Sequence, residues 1–191
     1  MSRKVFLFLL ITLGLGTAFA EPLPPGPVYV RIENGWKGFY VRTDKYVEYS
    51  LIGSEIKLQD SSHILLRPGL GLMVTFADKE QFGSGKDILE AHKRWEVEYW
   101  RNRASKVEST NRDDLSGARK DLKITELTLR KQDGAQLKVY LIAVDLKEGV
   151  FVFSVSPASR DIDPMVKELI NSVKIVNKRL ELQNEAQKAK S

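Results

Sequence analysis

Two consecutive segments leave little freedom in how they can be housed. In QLKVYLIAVDL, residues 136–146, Leu137, Val139 and Leu141 occupy one parity and Tyr140, Ile142 and Val144 the other. VFVFSVS, residues 150–156, repeats the arrangement, with Phe151, Phe153 and Val155 set against Val150 and Val152. Side chains of a strand alternate between two faces, so a strand apolar on both parities must be covered on both. The expectation is an antiparallel sheet with helices, or another layer, above and below its middle.

The rest of the chain supplies partners for these strands. In VYVRIEN, Val28, Val30 and Ile32 alternate with polar neighbours, and GFYVR and KYVEYSLI read similarly. HILLRPGLGLMVTF reads as two strands turning at Arg67-Pro68-Gly69. A long helix is expected over 86–109, with Ser84 as N-cap and Asp87 and Glu90 in its acidic first turn. Ile88, Ala91, His92, Trp95 and Tyr99 form one stripe of that helix. Leu89, Val97, Trp100, Ala104 and Val107 form a second, displaced stripe, so the helix should touch more than the sheet beneath it.

Residues 109–117 read as a polar connection, with Asp113-Asp114 as solvated charge. Strand 122–131 changes apolar parity between Ile124 and Leu127, which suggests a bulge near Thr125-Glu126. Gln132-Asp133-Gly134 then makes a tight hairpin. After Ser156, Asp163 is expected to cap a helix with Pro164 at its first position and Met165, Val166, Leu169, Ile170 and Val173 buried; VKIV returns as an edge strand. Residues 28–176 thus read as a single α+β domain, an antiparallel sheet sandwiched between helices, and 177–191 as a polar tail.

The chain opens MSRKVFLFLLITLGLGTAFA, with Arg3 and Lys4 before an apolar run and Ala18-Phe19-Ala20 before Glu21. That is the pattern of a cleaved secretory signal over 1–20, and EPLPPGP, residues 21–27, reads as a proline-rich linker. The expectation is an exported protein, periplasmic or secreted, with no integral membrane span after cleavage. With no cysteine in the chain, thiol catalysis and cysteine–metal sites are excluded. Once Arg3 and Lys4 leave, 28 basic residues stand against 25 acidic ones, well mixed, a balance that does not suggest nucleic-acid binding.

The succession LKVYLIAVDLKEGVFVFSVSPASRDIDPMVKELINSVKIV, residues 137–176, resembles the C-terminal half of the PsbP-like fold. That fold is named for an extrinsic subunit of photosystem II and is shared with a Ran-binding nuclear import factor and many exported bacterial proteins. The resemblance implies an α/β/α sandwich and a tendency toward non-enzymatic accessory roles. Asn34-Gly35-Trp36 lacks the proline that members often carry before this tryptophan, and no functional residue carries over.

Chemical motifs are sparse. His63 follows Ser61-Ser62 and reads as an exposed loop residue, and His92 as a histidine at the edge of the core. Phe82-Gly83-Ser84-Gly85-Lys86 lacks the spacing of a phosphate loop, and Asp161-x-Asp163 lacks the further acids of a calcium loop. No catalytic set, metal site or cofactor is expected. The aromatic residues stand out more, above all Trp100 beside Arg101 and Arg103, types enriched at interfaces. These three are the candidate partner contacts of an exported, monomeric accessory protein docking on a protein of the cell envelope. The alternative is a small-molecule or lipid carrier using a cleft between sheet and long helix; an enzyme is third.

Overall fold

The computed structural model describes residues 26–42, 45–53, 56–60, 62–82 and 87–176. The signal segment, most of the linker, Ser84 and the tail 177–191 lie outside the described residues. The fold is α+β, built on two antiparallel sheets. The smaller has the order β1-β2-β3-β11: β1 (Gly26–Ile32), β2 (Gly35–Arg42), β3 (Lys45–Ile52) and β11 (Lys174–Val176). The larger joins β4 (Lys57–Leu58), β5 (His63–Arg67) and β6 (Leu70–Asp78) to β7 (Lys106–Asn111), β8 (Leu122–Arg130), β9 (Gln136–Asp145) and β10 (Gly149–Ser156). Its order is β4-β5-β6-β10-β9-β8-β7, so the doubly apolar β9 and β10 lie at its centre. The helices are α1 (Lys79–Phe82), α2 (Ile88–Arg101), α3 (Asp113–Ser116) and α4 (Asp163–Ser172).

Both faces of β9 and β10 are covered, but not by two layers of helix. On one face Tyr140, Ile142, Phe151 and Phe153 pack against Val47, Tyr49 and Leu51 of β3 and Val166, Leu169 and Ile170 of α4. A second sheet therefore does much of the work expected of a helix layer, because the N-terminal strands pair with β11 and not with the larger sheet. On the other face Val139, Leu141, Val150 and Val152 meet Ile88 and Leu89 of α2.

Several local expectations are corrected. The first strand begins at Gly26, inside the proline-rich stretch. β8 holds its register with β9 from Leu122 to Arg130 without a bulge. Its parity changes because its cover changes: Leu122 and Ile124 join the core on the β3 and α4 side, Leu127 and Leu129 the core under α2. The long helix stops at Arg101, and Lys106–Asn111 becomes β7 instead, with Val107 opposite Leu129. Asp87, not a first-turn residue, is the N-cap of α2, its Oδ1 accepting from the Glu90 amide at 3.0 Å. Asp163 does not cap α4: Ile162 holds the N-cap position, and the Asp163 carboxylate faces Arg112 and Tyr140.

Candidate functional site: a groove beside helix α2

A single helix cannot hide a seven-stranded face. At about 4.8 Å per strand the sheet is roughly 29 Å wide, while a 14-residue helix is about 21 Å long and about 10 Å across. Among the described residues α2 packs chiefly on β7, β8, β9 and β10 and leaves much of the same face of β5 and β6 open. The result is a groove of about 590 Å³. Its floor is Gly71, Met73 and Thr75 of β6 with Ser154 and Ser156 of β10, small or polar side chains except for the partly exposed Met73. Its wall is the His92, Trp95, Glu96 and Tyr99 side of α2, joined by Trp100.

The two stripes of α2 divide the labour. Leu89, Val97, Trp100 and Ala104 sit on the sheet and hold the helix down. Ile88 of the first stripe joins them, while His92, Trp95 and Tyr99 look sideways into the groove as a run of rings: Phe82 of α1 lies 5.4 Å from His92, His92 5.8 Å from Trp95, and Trp95 6.1 Å from Tyr99. The second contact that the stripe required is this open wall, not another layer of protein.

One polar pair is set into that wall. His92 is 1% exposed, and its Nε2 has no hydrogen-bond partner. The nearest carboxylate oxygen, Oε1 of Glu96 one turn later, is 3.6 Å away, beyond hydrogen-bonding distance. Burial pushes the Glu96 carboxyl up to about 7, against a smaller downward pull from the Trp100 indole N–H. Burial pushes the His92 imidazole down to about 4. Both groups are therefore held toward their neutral forms at the edge of an apolar space.

A second polar cluster binds the opposite side of the molecule together. Arg112, in the turn before α3, donates bidentately to Asp114, with Nε–Oδ1 2.9 Å and Nη2–Oδ2 2.8 Å. It also reaches Asp163 at 2.8 Å, Glu126 at 3.2 Å and the Tyr140 hydroxyl, which in turn donates to Asp163 at 2.7 Å. Burial alone would raise the Asp163 carboxyl, but hydrogen bonds from Arg112 and Tyr140 outweigh it and hold the group below the usual carboxylate range. Asp114, expected as solvated charge, is held low by Arg112. With its donors and acceptors matched, the cluster ties β8, β9, α3 and α4 together.

The residues singled out from sequence separate. Trp100 is half-buried between sheet and groove, its indole on Glu96. Arg101 is exposed and pairs with Glu98 at 3.3 Å. Arg103 is exposed, lies 3.7 Å over the Tyr99 ring and donates to the Tyr99 carbonyl at 3.0 Å. A shallower depression of about 500 Å³ lies between Trp100, Arg103, Leu129 and Lys131. His63 is exposed, as expected, but opens β5 instead of lying in a loop, and it bonds Asp60 at 2.9 Å. Glu96 went unmarked in the sequence, although a carboxylate four residues after His92 on an aromatic stripe was the available signal. Among the described residues no group of three or more His, Asp or Glu side chains could hold a metal, and no helix is long and apolar enough to cross a membrane.

No family model matches the chain, and neither a curated protein nor a solved structure matches it.

Proposed function

We propose that this is an exported binding protein that holds a small, largely apolar molecule in the groove between α2 and the larger sheet. The observation that carries the reading is the groove itself: about 590 Å³ beside the domain's main aromatic helix face, in the size range of ligand pockets. Export is supported by the signal pattern of residues 1–20. A PsbP-like sandwich is supported by the element order, from a strand series through a long helix and a three-strand meander to a short helix and an edge strand. Binding is favoured over catalysis because Nε2 of His92 is buried beneath the groove surface, out of hydrogen-bonding reach of a substrate proton. The test fills the groove: Ser154→Phe should abolish quenching of tryptophan fluorescence by apolar ligands while leaving circular dichroism unchanged. Undiminished quenching in that variant would remove the groove as the site.

A second reading, docking on an envelope protein by a monomer, draws on the exposed Arg101 and Arg103 beside Trp100 and on the depression that Arg103 lines. Arg101→Ala and Arg103→Ala line no part of the groove, so loss of a captured partner in these variants, with ligand quenching intact, would separate docking from carriage.

A further inference from the structure

We infer that the groove takes an amine: an apolar body lying along Trp95, Trp100 and Met73, and one protonated nitrogen paired with the carboxylate of Glu96. The inference rests on the groove being a ligand site, and three observations take it further. The first is charge. Among the described residues that line the groove there is neither lysine nor arginine, and Glu96 is the only carboxylate. A fatty carboxylate or a phosphate would meet that acid with no fixed cation to hold it, whereas an ammonium ion removes the cost of burying the carboxylate.

The second is the acid's neighbour. His92 Nε2 stands 3.6 Å from Glu96 Oε1, beyond hydrogen-bonding distance, and is sealed from the groove, so a positive partner for Glu96 is left to come from the ligand. The third is the rings. Arg103 already occupies one face of Tyr99, but Trp95 and Trp100 line the groove, and indole is the aromatic group that attracts cations best.

Proton traffic gives the site a signature. The other titratable groups lining the groove are His92, His63 and Tyr99, with Asp60 bonded to His63 and Arg103 stacked on Tyr99. Because burial lifts the Glu96 carboxyl to about 7, pairing with an ammonium ion in weakly acidic solution expels a proton. Affinity for an amine should therefore rise with pH up to about 7 and level off there; affinity for an uncharged ligand should not.

The test titrates the intact protein with octylamine, octanol and octanoate at pH 7.5 and follows tryptophan fluorescence, for wild type and Glu96→Gln. Octylamine should bind about tenfold tighter than octanol, the scale of a partly desolvated ion pair, and octanoate weakest. E96Q should keep octanol binding and lose the amine preference, and wild-type affinity for octylamine should climb between pH 5 and 7. Equal binding of the three, or an amine preference that survives E96Q, overturns the amine assignment and leaves the groove standing. Failure of all three to bind overturns both. The wild-type series decides the ligand class even if E96Q does not fold.

Discussion

His92 and Glu96 sit one helical turn apart, and the same burial drives their protonation in opposite directions. For His92, about 4 folded against about 6.5 free, the unfolded chain binds more protons between those values, so its contribution to stability rises with pH across the window. For Glu96, about 7 folded against about 4.5 free, the folded chain binds more, so its contribution falls with pH over nearly the same window. In the wild type the two slopes oppose each other. Glu96→Gln should unmask the histidine: between pH 4.5 and 6.5 the urea-unfolding free energy of the variant should gain on wild type by up to about 1.4 kcal/mol per pH unit. A difference that stays constant with pH would show that the Glu96 carboxyl is not raised in the folded protein. Arg112 makes a contrasting case, since its network is matched. Arg112→Met would leave the half-buried Asp163 and Glu126 and the buried Tyr140 with a donor missing, at a cost of about 2–4 kcal/mol in equilibrium unfolding. Because Asp163 and Asp114 are held low, that stability is present above the free carboxylate range and is lost as pH falls below it.

At the scale of elements, partners across a ladder explain what local pattern does not. Gly38 of β2 stands opposite Tyr49 of β3, and a Cβ on Gly38 would fall inside the Tyr49 ring, which turns inward to stack edge-on to Phe153 at 4.8 Å. Gly38→Ala should therefore act as a core overpacking mutation, costing about 1–3 kcal/mol by chemical denaturation, although the site reads as an ordinary strand position. A cost near zero would mean that the ring moves aside freely. The strands of the meander were legible because each is a short apolar, β-branched or aromatic run bounded by turn residues, and the edge strand Lys174–Val176 followed from its place after α4. β7 was not: Lys106–Asn111 continues the helical spacing of α2 through Ala104 and Val107, and only pairing with β8 makes it a strand. The bulge inferred in β8 failed for a related reason. A change of parity shows that the covered face changes, and sequence alone cannot say whether the chain slips or the cover moves. The groove followed the same logic. Its aromatic wall was visible as a surplus stripe, but its floor is defined by where α2 stops, which depends on packing across the sheet.

Across the whole molecule, the question is whether two sheets make one folding unit. β3 contributes Val47, Tyr49 and Leu51 to the cluster that holds Phe151 and Phe153 of the larger sheet, and β11 ties the C-terminal end of the domain to β3. Withdrawing the smaller sheet would bare one face of the two central strands, whose other face needs α2. Neither cover can leave without exposing strands that the remaining cover cannot hide, so the cost of partial opening approaches that of complete unfolding. Tryptophans stand at both covers: Trp36 packs against the core of the smaller sheet, and Trp95 lines the groove under α2. Variants retaining Trp36 alone or Trp95 alone, the others replaced by Phe, should unfold in urea with coincident midpoints and equal slopes after correction for the stability change each substitution brings. Separate transitions, with the Trp95 signal lost first, would make α2 an independently opening flap over the groove; loss of the Trp36 signal first would make the smaller sheet a detachable layer. Coincidence would show that the doubly apolar strands, by needing both covers at once, make the domain unfold as one.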